Sequence, residues 1–126
     1  MHNEVWYKLE CSQIQRAVVN VYQKLGRSLQ ETDYKEELRN EFSKLGIPYA
    51  DYNDSCTALK SAKPLIQYQP HFICHGVIAV KIKVLPTTHH EHKTRISNYL
   101  KASKNRMAIL ANFGAQPHVT VEKITR

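Results

Sequence analysis

Lys81 and Lys83 stand two residues apart inside the run Val77-Ile78-Ala79-Val80-Lys81-Ile82-Lys83-Val84-Leu85. In an extended chain alternate side chains leave the same face, so both ammonium groups project together with Ala79 and Val77. Ile78, Val80, Ile82 and Val84 line the other face. β-Branched density of this kind fits a central strand covered on both sides. Lysine is rarely buried without a partner, so two lysines on an interior strand require an acid, a cleft or a bound anion. The same pair would also suit an edge strand with one solvated face, where lysine blocks unwanted pairing. The chemistry on offer is recognition of phosphate, sulfate or carboxylate.

A second group capable of chemistry is His89-His90-Glu91-His92. His89 and His92 lie one helical turn apart, and with His71 or His75 nearby they could hold a transition metal. No second spaced ligand pair accompanies them, and a solvated first helical turn explains the same residues, so no metal is expected there. Three widely spaced cysteines, Cys11, Cys56 and Cys74, form neither a disulfide framework nor a Cys-x-x-Cys pair. Cys74 reads as a small, inert apolar residue. Among the seven tyrosines, Tyr34 and Tyr99 fall on core stripes, whereas Tyr49, Tyr52 and Tyr68 lie in or beside strands. Exposed tyrosines could stack on unpaired bases. No Ser-His-Asp set, phosphate-cradling glycine loop or dinucleotide fingerprint is present.

The elements that must position these groups are legible in periodicity. Ile14, Val18, Val21, Tyr22 and Leu25 form one face of an amphipathic helix that Gly26 stops. Tyr34, Leu38, Phe42 and Leu45 form the stripe of a second helix, with Gly46 as its C-cap and Pro48 as a further stop. Strand candidates follow at 49–53, 57–59 and 66–74, with Asn53-Asp54-Ser55 and His75-Gly76 as turns. With the lysine strand they read as an antiparallel meander, and Pro70 marks an edge, an end or a bulge. A third helix starts from Thr87 or Thr88, carries His92, Ile96, Tyr99 and Leu100 inward, and ends at Asn105-Arg106. Strands at 107–113 and 118–124 complete the order. The expectation is one α+β domain over residues 1–126, with helices packed against a mixed sheet.

Composition narrows the partners. Hydrophobic content of 42% and charged content of 23% fit a soluble globular domain of 126 residues. No stretch reaches the roughly 20 apolar residues of a membrane helix. Glu4, Lys8, Glu10 and Arg16 near the start do not suit a signal peptide, and the cysteine usage fits a reducing, cytoplasmic setting. The formal net charge of +7 favours a polyanionic partner such as nucleic acid, through phosphate contacts and counterion release.

The order of elements and several local motifs resemble the GxxExxY proteins, a bacterial branch of the PD-(D/E)XK nuclease-like superfamily. Ser28-Leu29-Gln30-Glu31-Thr32-Asp33-Tyr34 is similar to Gly-x-x-Glu-x-x-Tyr and follows Lys24-Leu25-Gly26. Tyr99-Leu100-Lys101 resembles the Tyr-Leu-Lys of the family's later helix, and Leu110-Ala111-Asn112-Phe113-Gly114 its Asn-Phe-containing strand end. The family pattern lies along residues 12–114 with essentially no gaps. The resemblance implies an αβββαβ restriction-endonuclease-like core. It also implies a site in which a helix acid, two strand acids and a lysine hold Mg²⁺, which activates water and stabilises the transition state of phosphodiester cleavage.

At that site the chain departs from the pattern. The family's Arg-x-Asp corresponds to Gln69-Pro70-His71, its Glu-x-Lys to Lys81-Ile82-Lys83, and its later helix Gln to Arg95. Glu31 and Lys83 alone keep the family residue type. Three acids and one lysine carry a formal charge of about −2, suited to a metal. Glu31, Lys81, Lys83 and Arg95 with neutral His71 carry about +2, which repels Mg²⁺ and attracts anions. The expected protein is a nuclease-fold pseudoenzyme without a cofactor, binding nucleic acid or another anion through Lys81, Lys83 and Arg95. Glu31 would neutralise the pocket if it paired with Lys81 or Arg95. Two other readings remain open: a protein-interaction scaffold or homodimer, and a residual Mg²⁺ nuclease recruiting Asp51, Asp54 or the His89–His92 group.

Overall fold

The computed structural model describes residues 7–27, 29–52, 69–87 and 90–125. Helix α1 (Lys8–Leu25) buries Cys11, Ile14, Ala17, Val18 and Val21, and α2 (Glu31–Leu45) buries Tyr34, Leu38 and Phe42. These are the predicted stripes, one side chain every three or four residues. Gly46 ends α2 in the left-handed conformation at φ 73°, which its missing Cβ permits, and its N–H bonds back to the last turn. Strands β1 (Tyr49–Asp51), β2 (Phe72–Cys74) and β3 (Ile78–Lys83) follow, then α3 (His90–Ala102), β4 (Met107–Asn112) and β5 (Thr120–Thr125). The run from α2 to β4 is the expected αβββαβ order, preceded by α1 and followed by β5.

The sheet has the strand order β1-β2-β3-β4-β5. β1, β2 and β3 pair antiparallel, as the meander predicts, and β4 pairs antiparallel with β5. β3 and β4 run parallel, joined by the α3 crossover. The lysine strand therefore lies between two neighbours, and the edge-strand alternative falls away.

The two faces of the sheet are covered by different helices. Ile78, Val80 and Ile82 of β3, with Met107 and Ile109 of β4, pack under α1 and α2. Ala79, Ala108 and Leu110 pack under Ile96, Tyr99 and Leu100 of α3. All six residues of β4 are buried, as expected of a parallel-paired strand covered on both faces.

Several boundaries are tighter than their sequence signals. β1 ends at Asp51 rather than residue 53, because its partner β2 begins only at Phe72. Within the described residues the predicted 66–74 strand is confined to Phe72–Cys74, and Pro70 marks its end, having no N–H to give the ladder. Val77 belongs to the turn, its N–H bonding to the Cys74 carbonyl at 3.2 Å. β5 starts at Thr120 rather than His118, since Thr120 already faces Asn112, the last residue of β4. The strand candidate at 57–59, the Asn53-Asp54-Ser55 turn and the Ile66–Tyr68 stretch lie outside the described residues, as do Ser28, Thr88 and His89.

Where β3 and β4 end, their exits run close together. The Phe113 N–H bonds to the Lys83 carbonyl at 2.8 Å. A Cβ on Gly114 would sit 2.6 Å from the Leu85 nitrogen and 2.8 Å from the Val84 carbonyl carbon. Backbone atoms cannot give way as a flexible side chain would. Gly114→Ala is therefore expected to lower unfolding stability by about 1–3 kcal/mol in urea titration, the usual range for overpacking, whereas Gly46→Asn should cost less than 1 kcal/mol because Asn tolerates the left-handed conformation.

Candidate functional site

Glu31 is the first residue of α2, and the turn before the helix fixes its place. The Tyr34 hydroxyl donates to the Gly26 carbonyl at 2.6 Å and accepts the Leu29 N–H at 3.2 Å. Its ring stacks on Phe113 with centroids 4.1 Å apart. The Gln30 N–H donates to Asp33 Oδ2 at 3.1 Å, closing the first turn. A carboxylate at this position also meets the positive end of the helix dipole.

His71 joins Glu31 to the sheet. Its backbone N–H bonds to the Val80 carbonyl at 2.8 Å, and its carbonyl accepts the Tyr52 N–H at 3.0 Å. The β2–β3 register pairs Phe72 with Val80, so continuing it by two residues would set Pro70 opposite Ile82. The Ile82 N–H is instead taken by His71 Nδ1 at 3.0 Å. A ring nitrogen that accepts an N–H carries no proton, so the proton of the neutral imidazole belongs on Nε2. That nitrogen lies 3.0 Å from Glu31 Oε1 and donates to it.

Lys81 lies beside this chain. Its Nζ donates to the Gln69 carbonyl at 2.9 Å. Burial, together with the charges of Lys83 and Lys35, holds its pKa below the usual lysine range, and the attraction of Glu31 offsets part of that. Burial likewise lowers the His71 pKa below 6.5, with the Lys81 charge adding to the effect against the hydrogen bond and charge of Glu31. Protonation at Nδ1 would also break the Ile82 bond.

The structure thus brings Glu31, His71 and Lys81 into one cluster with Lys83 close by. Lys35, four residues after Glu31 on α2, adds a further positive charge. The i, i+4 spacing from Glu31 is a signal that could have placed it there. Arg95 lies elsewhere in the hydrogen-bonding scheme. It is half-exposed and reaches Glu91 at 3.5 Å, one turn back on α3. Glu31 hydrogen-bonds His71 at 3.0 Å and its charge also attracts Lys81, whereas Arg95 reaches Glu91.

The donor set does not fit a Mg²⁺ centre. Among the described residues Glu31 supplies one carboxylate, the His71 Nε2 lone pair is blocked by its proton, and Lys81 adds an ammonium rather than a second carboxylate. An ammonium about 4 Å from a divalent cation repels it by roughly 8 kcal/mol at an effective dielectric constant near 20. Among the described residues no cluster of three or more His, Cys, Asp or Glu side chains could hold a metal. Asp51 is held by Arg39 at 3.1 Å, His92 is half-buried on α3, and Asp54 and His89 lie outside the described residues.

Tyr34, Tyr49, Tyr52 and Tyr99 serve the fold. Tyr34 and Tyr99 are fully buried. Tyr49 packs on Phe42 and Phe72, and Tyr52 meets Tyr99 edge-on at 6.5 Å. Cys74 is buried, and burial pushes its thiol up to about 12, which makes it inert. None of the described helices is long and apolar enough to cross a membrane.

The sequence model of the PD-(D/E)XK nuclease superfamily matches residues 8–124. The chain belongs to that superfamily. No curated protein matches it, and no solved structure does.

The state of His71 has a consequence for stability. Its pKa is lowered by folding, so below pH 6.5 the unfolded chain binds more protons at this residue than the folded one. Its contribution is whole above pH 6.5 and shrinks as the pH falls from there towards the folded value. His71→Asn, whose amide oxygen can accept the Ile82 N–H, should remove that part of the slope. Urea midpoints of the two proteins, measured between pH 7.5 and 5, should diverge less at the acidic end than at the neutral end.

Proposed function

We propose that this member of the superfamily has lost metal-dependent cleavage and binds nucleic acid through the phosphate backbone. The observation that carries the reading is the cluster itself: a neutral, backbone-tied histidine and a lysine where the GxxExxY pattern has carboxylates. Lys81, Lys83 and Lys35 outnumber Glu31, so the local field is positive and favours an anion over a cation. The overall formal charge of +7 supports the same class of partner.

The partners in contact with the polyanion would be Lys81 and Lys83, with Arg95 on α3 as a more distant, solvent-facing contributor. Glu31 tempers the field and keeps His71 in its Nε2–H form. The interaction-scaffold reading has less behind it. Among the described residues the large hydrophobic side chains left exposed are Leu9 and Leu29, which are too few to form an apolar docking patch. A cytoplasmic location agrees with a nucleic-acid partner and with thiols that are buried and unpaired at Cys11 and Cys74.

Gel-shift titration with duplex and single-stranded oligonucleotides tests the reading. Retardation should weaken steeply with salt. The double variant Lys81→Glu/Lys83→Glu should bind at least tenfold more weakly and flatten the plot of log affinity against log salt by roughly 1–2 units of slope. No retardation at low salt, or equal binding by the variant, would refute it.

A further inference from the structure

Between α1 and the β4–β5 pair lies a cavity of about 240 Å³ that the proposed nucleic-acid contact does not use. Lys8, Cys11, Ser12 and Gln15 line it from the helix, at the i, i+3, i+4 and i+7 spacing that sets side chains on one face. Val121 and Lys123 line it from β5, where alternate residues share a face. Ile109 of β4 completes the lining and lies directly opposite Lys123 in the strand register. The side chains that α1 offers here account for the space. Its buried stripe closes on the sheet through Ile14, Val18 and Val21. On the flank towards β5 it presents a thiol, a hydroxyl and an amide, which are too short or too polar to pack the gap.

The cavity has an apolar floor and a cationic mouth. Ile109 and Cys11 are 1% and 6% exposed, and Val121 is half-buried beside them. Lys8, Lys123, Ser12 and Gln15 are exposed. Neither lysine takes part in a hydrogen bond or ion pair among the described residues. The Lys123 charge is felt at the floor, where it opposes the effect of burial and of Glu10 on the Cys11 thiol. Glu10 and Glu122 are chain neighbours of lining residues but do not line the cavity, and Glu122 pairs with Lys93 at 3.3 Å. Two ammonium groups thus face the opening with no carboxylate in the lining. Such a site suits a molecule that is apolar at one end and anionic at the other. Pockets for drug-sized ligands begin near about 300 Å³, so this one takes a smaller body, a single ring or a short branched chain.

We propose that this cavity binds a small organic carboxylate, its anionic end between Lys8 and Lys123 and its apolar body against Ile109, Val121 and Cys11. Ser12 and Gln15 add neutral hydrogen-bonding groups at the mouth. The site is separate from the phosphate-backbone contact. Ile109 and Val121 pack on the side of the sheet covered by α1 and α2, whereas Lys81 and Lys83 leave it on the side of Ala79, under α3. The reading of Lys81 and Lys83 does not depend on it.

Benzoate, benzyl alcohol and inorganic phosphate are titrated separately into the full chain and followed by the backbone amides in ¹⁵N NMR. Benzoate should move the amides of residues 8–15 and 121–123. It should saturate with a dissociation constant on the order of a millimolar, as befits a ligand of about nine non-hydrogen atoms. Benzyl alcohol has the ring without the charge and phosphate the charge without the ring, so each should bind about fivefold more weakly or worse. Lys8→Gln/Lys123→Gln alters two exposed positions. It should weaken benzoate about fivefold or more and leave benzyl alcohol unchanged. Benzoate shifts scattered over lysines elsewhere, or unchanged in the double variant, would overturn the proposal. Benzyl alcohol or phosphate binding as tightly as benzoate would overturn it too, since ring or charge alone would then suffice.

Discussion

The Ile82 N–H donated to His71 Nδ1 is the contact on which the arrangement of the site depends. It gives the Ile82 N–H an acceptor beyond the end of β2, so a side chain extends the pairing past the last strand residue. It also settles the chemistry of the imidazole. With Nδ1 occupied as an acceptor, Nε2 must carry the proton and turn it towards Glu31. The two hydrogen bonds together tie the start of α2 to the sheet and occupy both ring nitrogens, while burial and the Lys81 charge keep the imidazole neutral.

The electrostatics follow from that geometry. Among the described residues Glu31 is the carboxylate of the cluster, and part of its hydrogen-bonding capacity is spent on His71. Lys81 is anchored to the Gln69 carbonyl, so its charge is held in place rather than waving in solvent. A metal nuclease needs carboxylates converging on a cation. Here, among the described residues, lysines and backbone-tied polar groups surround a single acid, and His71 braces the sheet. A positive cluster of this kind attracts a phosphodiester and repels a divalent cation, which is the basis of the proposed function.

Much of the fold was legible because its signals are local. The stripes of α1 and α2 follow from residues three and four apart, and the β-branched density of residues 78–82 announced a central strand. Boundaries were less so, because they depend on partners: β5 starts at Thr120 only because β4 ends at Asn112. The site was half legible. Counting charges at Glu31, His71, Lys81, Lys83 and Arg95 pointed to an anion, but periodicity could not say that Arg95 would turn to Glu91. Nor could it show that His71 would accept the Ile82 N–H, which requires the β2–β3 register.

The central claim is that phosphate is bound in place of metal rather than by way of it. Fluorescence anisotropy of a labelled oligonucleotide tests this most directly, measured at matched ionic strength with EDTA and again with millimolar Mg²⁺. The account predicts undiminished affinity in EDTA, weaker affinity in Mg²⁺ through competition for the phosphates, and an intact label in both. Binding that requires Mg²⁺, or shortening of the oligonucleotide when Mg²⁺ is supplied, would contradict it.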